Sequence, residues 1–263
     1  MKRLVIIVIL LLLGNVTYAQ ESTVATAAKV YFWNRVHFGI KGGFTATNVN
    51  IDVRDTNFED YDLPTAEKFN WRVGFDARID AFDNFFIHTG LEYINKGFNV
   101  DLDRLKQKYN NIKSIQGQWT TLYRYIQLPL DFGYDLGSFQ LMAGPYFSYG
   151  LGGTEMYDLD IELNDGTTNS ISQTNDLQVI SGGTVNSDLP DDITGMVPDY
   201  FRSFDFGLTF GVGYKIGKLN INLQYEQGFT NITPDFSQEP NFDPNDLQLK
   251  HNVLSVNLTY WFK

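Results

Sequence analysis

Apolar and polar side chains alternate along this chain in eight stretches of about ten residues. In the clearest, Phe69, Trp71, Val73, Phe75, Ala77 and Ile79 share one face, and Asn70, Arg72, Gly74, Asp76, Arg78 and Asp80 share the other. Period two is the mark of a strand with one oily side. The same alternation predicts strands over residues 36–45, 85–97, 122–136, 139–150, 204–216, 219–229 and 251–262. Their oily faces include Val36, Phe38, Ile40 and Phe44 in the first and Leu254, Val256, Leu258, Tyr260 and Phe262 in the last. Pro145, inside the fifth stretch, predicts a bulge or a missing rung.

Alternation alone leaves open whether the oily face turns in, as in a lipocalin-like carrier, or out towards lipid. Volume decides between them. Eight strands enclose just enough room for side chains, and an aromatic or branched residue at nearly every oily position would overfill it. The polar face is instead rich in glycine, at 39, 43, 74, 90, 133, 144, 207, 211 and 213. Connections alternate as well: short at 81–84, 137–138 and 217–218, long at 46–68, 98–121, 151–203 and 230–250. Outer-membrane barrels pair short periplasmic turns with long outer loops. The expected fold is therefore an all-β, eight-stranded antiparallel up-and-down transmembrane barrel over residues 36–263, with both termini periplasmic. Leu258, Tyr260 and Phe262 near the end of the chain read as the C-terminal signal for the barrel-assembly machinery. Tyr93, Tyr134, Tyr149, Tyr214, Tyr225, Tyr260 and Trp71 lie near strand ends, where an interfacial aromatic girdle belongs.

The start of the chain supplies the route to that membrane. Lys2 and Arg3 precede an apolar run at 4–13 and a small-residue site ending at Ala19, which predicts a cleaved signal peptide over 1–19 and a periplasmic lead over 20–35. Ten apolar residues rise only about 15 Å as a helix, half of a bilayer's hydrocarbon core. Cleavage takes the formal charge from −11 to −13, which argues against nucleic acid as a partner. The absence of cysteine excludes disulfides, acylated-cysteine anchors and thiolate metal sites.

Candidate chemistry falls in two places. The inner face gathers Lys41, Arg72, Asp76, Arg78, His88, Glu92, Lys96, Asp131, Asp205, Lys215 and Glu226 in one narrow lumen. Buried charges of both signs should pair and plug it; a breakable pair such as Arg72 with Asp76 or Glu92 would instead gate a narrow route for ions or small solutes. His88 has the chemistry of an acid or base, which keeps a barrel lipid hydrolase as an alternative, but no Ser/His/Asp spacing supports it. His37 and His251 are placed at the inner and outer rims. Gly211-x-Gly213 precedes no helix, so no phosphate loop, cofactor or metal is expected. The second place is the long connections, which hold 22 of the 31 acidic residues. Such loops would solvate the surface, bridge to lipopolysaccharide through divalent cations, or receive a protein partner. Asp191-Asp192 and Asp243 with Asp246 miss the EF-hand spacing. Tyr157, Leu159, Ile161 and Leu163 alternate with Asp158, Asp160 and Glu162, predicting that the fifth and sixth strands run on as a protruding hairpin with an exposed edge.

The stretch FGIKGGFTATNV from Phe38, the block YIQLPLDFGYDLGSFQLMAGPYFSYGLGG from Tyr125, the block FDFGLTFGVGYKIGKLNINLQYEQGFTNI from Phe204 and the ending LSVNLTYWFK resemble the PorT-like outer-membrane β-barrel family of Gram-negative bacteria. The resemblance spans residues 36–263. It implies the barrel fold, no catalytic signature and, in one branch, a role as accessory to a protein secretion and gliding apparatus. The leading expectation is a non-enzymatic surface protein whose loops bind a partner or stabilise the envelope.

Overall fold

The computed structural model describes residues 33–54, 62–180, 184–185, 200–236 and 247–262; the expected leader, nearly all of the lead, Asp191, Asp192, Asp243 and Asp246 lie outside them. In chain order the elements are β1 (Val36–Val53), β2 (Thr65–Ala66), β3 (Lys68–Phe82), β4 (Phe85–Val100), α1 (Leu102–Lys108), β5 (Ile112–Leu136), β6 (Phe139–Leu163), β7 (Thr168–Ile180), β8 (Thr184–Val185), β9 (Tyr200–Arg202), β10 (Phe204–Ile216), β11 (Leu219–Gly228), β12 (Asp235–Phe236) and β13 (Leu247–Trp261).

Eight of these strands close a ring in the order β1-β3-β4-β5-β6-β10-β11-β13 and back to β1. Seven of the eight neighbouring pairs have antiparallel registers, and closure of the ring forces the same sense on β1 and β3. Closure removes the barrel's free edges. Tight turns join β3 to β4, β5 to β6 and β10 to β11. Gly137 and Gly217 take positive φ of 69° and 60° in the latter two, backbone that a side chain would strain.

Outward positions on the turn-side part of the barrel are apolar and exposed, from Phe38, Ile40 and Phe44 on β1 to Leu254, Val256, Leu258 and Tyr260 on β13. Val36 is the exception: it is buried. It lies three residues before the first rung shared with β13, Gly39↔Trp261, so that ladder does not fix its face. The glycines do sit where space is short. A methyl group at Gly133 would enter the Phe86 ring, and one at Gly207 would meet the Tyr146 ring.

Towards the long-loop end the chemistry of the two faces reverses. Inward residues become apolar: Leu247, Leu249 and Val253 on β13, Ile94 and Phe98 on β4, Ile115, Trp119 and Tyr123 on β5. Outward residues become polar. The registers set Asn48 beside Asn252 and Asn252 beside Gln227, and Asn95 beside Arg124, along the upper edge of the apolar belt. On β13 the exposed apolar column from 254 to 262 covers nine residues, the number a tilted strand needs to cross a bilayer core.

β5 and β6 continue well past this edge, so what sequence assigned to the second and third loops is partly strand. Their outer halves pair from Ile112↔Leu163 to Arg124↔Gly152, and β7 adds a third strand with the register Glu162↔Thr168 through Gly153↔Leu177. The expected hairpin of the fifth and sixth predicted strands does not form: β6 runs on, but β10 begins only at Phe204, and the outer half of β6 lies between β5 and β7, so the free edge lies on β7. Helix α1, capped by Asp101, whose side chain accepts from the Arg104 amide at 3.1 Å, packs Leu105 into the same core.

Pro145 causes no bulge. Pro129↔Tyr146 and Phe132↔Ala143 share one register, with the rungs between them missing, while β10 pairs across as Leu208↔Pro145. One register shift falls at the tip, between Ile112 and Ser114, and the other where Arg124 pairs Gly152 and Tyr125 pairs Gly150, leaving Leu151 as the extra residue. Gly152 there takes φ of 142°. A one-residue bulge turns the following side chains to the opposite face.

Candidate functional site

Strand alternation aims the charged residues inward, and height along each strand decides which of them meet. At mid-barrel Lys41 bridges Glu92, with Asp76 Oδ1 at 3.4 Å from its Nζ. Arg72 reaches Glu92 at 3.2 Å and also bonds Glu226. Gln127 donates to Glu226 at 3.1 Å and accepts from Ser148 at 2.8 Å. Lys96 bonds Asp205 at 2.8 Å, and Tyr146 donates to the same carboxylate at 3.3 Å. Both nitrogens of His88 are engaged, Nε2 with Asp76 and Nδ1 with Asp131, each at 3.1 Å. Thr259 donates to Asp76 at 3.0 Å, and Thr209 donates to Asp131.

All of these charged groups are nearly sealed from solvent; Arg72 is 2% exposed and Glu92 0%. Charges in so dry a place are tolerable only when paired and hydrogen-bonded. Each cation here has a carboxylate within reach, so the arrangement is a cross-braced plug joining strands on opposite sides of the ring.

Arg78 and Lys215, predicted in the same lumen, belong to a second group. Arg78 lies six residues beyond Arg72 on β3, about 20 Å along a strand. There it bonds Asp135 at 2.6 Å and Asp80 at 2.7 Å, its guanidinium 3.8 Å from the centroid of the Phe86 ring. Lys215 and Gln140 bond Asp135 at 2.8 Å, and His37 meets Asp80 at 3.0 Å. Of these, His37, Arg78, Asp80 and Lys215 are half-buried and rim a polar depression of about 250 Å³ with Lys218 and Trp261 at the turn-side mouth.

Above the plug, sequence reasoning missed a second filling. Tyr123, Tyr125, Phe201 and His251 are all buried, with the Tyr125 hydroxyl 3.2 Å from His251 Nε2 and the rings of Tyr123 and Phe201 5.0 Å apart at 67°. Lys96 marks the seam, its ammonium 4.2 Å from the Tyr146 ring centre. His251, placed at the outer rim by sequence, is an interior residue because β13 extends to Leu247. The same core continues through Trp119, Tyr157, Leu159 and Ile161 into the outer sheet. Trp119 donates to the buried Glu155 at 2.9 Å. A signal was present in the odd-numbered apolar run 157–163, but nothing in it says which face looks inward.

The outer sheet turns a polar face to water. Across its strands run Gln118, Asp158 and Ser172, then Gln116, Asp160 and Ser170. Lys113 pairs with Glu162 at 2.7 Å. The hydrogen bond from Lys113 and its charge hold the Glu162 carboxyl below the usual carboxylate range.

The sequence pattern of the family described as outer membrane protein beta-barrel domain matches residues 18–233. Among solved structures, Neisserial surface protein A is similar at 10% identity and a TM-score of 0.35, over 85% of this chain and 96% of that chain. The Yersinia pestis outer membrane protein Ail is similar at 12% identity and a TM-score of 0.29, over 84% and 99% of the two chains. A search of curated proteins returned no match.

Proposed function

Because this chain belongs to the outer membrane protein beta-barrel domain family, and so is an integral outer-membrane barrel, we propose that it works as a closed, non-enzymatic anchor presenting its outer sheet to a partner. The observation that carries this is the double filling of the lumen, ion pairs at mid-height and an aromatic core above them. The side chains of both layers are buried, and a conducting pore is normally built from many more strands. His88, bonded at both nitrogens by strand-borne carboxylates, acts in this reading as a brace.

The short turns face the periplasm with both termini, and the β5–β6–β7 sheet stands outside the cell. Outer-membrane lipid covers the apolar belt, and divalent cations bridge the acidic loops to lipopolysaccharide. Leu258, Tyr260 and Phe262, all exposed on the outer face, serve as the assembly signal. The glycine-and-aromatic blocks support a place in the PorT-like branch, where service to a secretion apparatus would give the outer sheet its partner. Planar-bilayer recording of the purified barrel tests the core of the reading. Silence across applied voltage is expected; sustained single-channel steps would overturn it and restore a narrow transporter gated at Arg72.

A further inference from the structure

Among the described residues, β7 has one side without a strand partner over most of its length. It pairs with β6 from Thr168 to Leu177, and among the described residues nothing pairs its other side until β9 joins in parallel at Gln178↔Tyr200. Thr168, Asn169, Ser170, Ser172, Gln173, Thr174 and Asp176 are exposed, so no side chain covers this border. The Leu163 amide donates to the Thr167 carbonyl, which sets the phase of the ladder. By alternation the odd-numbered residues of β7 bond β6, and Thr168, Ser170, Ser172, Thr174 and Asp176 turn N–H and C=O outwards.

Natural sheets blunt such borders with lysine, proline, bulges or very short strands. Residues 168–180 contain no Lys, Arg, Pro or Gly, and the β6–β7 register runs without a shift. A second extended backbone matches a row of alternating donors and acceptors at this spacing along its whole length. The surroundings specify its charge: residues 152–180 carry Glu155, Asp158, Asp160, Glu162, Asp165 and Asp176 and no basic residue. Two copies of this border would bring those carboxylates together.

We propose that the free edge of β7 is a strand-addition site for an extended, lysine- or arginine-bearing segment of another protein, which joins the outer sheet as a further strand. This rests on the partner-binding reading above and gives the partner its chemistry. The probe is a capped nine-residue peptide alternating threonine and lysine, titrated against the full barrel in nanodiscs by fluorescence anisotropy. Its twin, N-methylated at every second residue, keeps the charge and side chains but cannot pair along one side. Saturable binding is expected, weakened at least tenfold in the twin and at least tenfold by Ser172→Pro, which deletes one outward N–H. Ser172→Val should bind within twofold of the parent. Heat-modifiable gel migration checks that both variants fold, and the twin peptide tests the idea without any variant. Equal binding of the twin would reduce the contact to charge, absence of saturable binding would remove the site, and dimers abolished by Ser172→Pro would assign the edge to a second copy; each overturns the proposal. Barrel closure is judged separately, by the conductance measurement, which does not involve β7.

Discussion

The two storeys of the interior are filled by opposite means. The turn-side storey holds Lys41, Arg72, Asp76, His88, Glu92, Asp131 and Glu226 in one hydrogen-bonded lattice, whereas the loop-side storey holds Tyr123, Tyr125, Phe201, Trp119 and Leu159. The difference follows from what lies outside the wall. Where the outer face meets lipid, polar side chains can only go inside, and there they must satisfy one another. Where the wall stands in water, polar residues turn outward and the interior becomes an ordinary protein core. The boundary between the two storeys is thus the membrane's edge, read from inside the barrel.

The bulge at Leu151 is where this contrast is most easily broken. Gly152→Val forbids the φ of 142° that the bulge uses, and strict alternation through β6 with Leu151 kept in the strand would swing Tyr157, Leu159 and Ile161 onto the watery face. Expected is complete loss of the outer sheet to proteinase K, with a barrel that still migrates by heat-modifiable shift. Resistance equal to the parent would show that the bulge is dispensable.

Next in size is Arg72→Met, which leaves Glu226 and one side of Glu92 without their cation. Breaking a buried pair on one side should cost about 3–5 kcal/mol, seen as a lower urea midpoint in detergent. Adding Glu226→Gln should recover part of it, because the orphaned charge is gone. On the apolar storey, Trp119→Ala should cost about 3 kcal/mol through the cavity it leaves, but locally: faster amide exchange across β5 and β6 beyond Arg124, with the barrel's midpoint unchanged.

Smallest is the exposed pair Lys113–Glu162, where Lys113→Met should shift stability no more than the scatter of the measurement. Its sign is still fixed. A carboxyl held low in the folded state contributes above its unfolded pKa, about 4.3, and loses that contribution as the pH falls through the folded value. The Lys113→Met difference should therefore vanish in acid.

The barrel itself was legible because lipid outside and charge inside write a clean period-two pattern, so strands such as 69–80 and 204–216 were found almost to the residue. The lumen residues were legible as a face but not as groups. Alternation tells which way Arg72 and Arg78 point, while strand height and stagger separate them. Above the membrane the code changes meaning without changing form. Leu141, Phe147 and Tyr149 look outward, and Tyr157, Leu159 and Ile161 look inward, although all six are odd-numbered members of one apolar series. A single extra residue made the difference, and nothing in composition marks Leu151 as that residue. His251 was put at a rim for a different reason: residues 247–250, assigned to a loop, carry β13 on beyond it.

Closure by β1 against β13, from Gly39↔Trp261 to Val53↔Leu247, also constrains how the molecule comes into being. These strands are separated by nearly the whole domain, so the seam is the contact with the largest loop-closure entropy and the last that synthesis permits. Until it forms, two bare strand borders and an entire oily exterior are presented to water at once. The assembly signal proposed on β13 would act at that stage, so a defect confined to β13 should be felt as failed delivery before it is felt as lost stability.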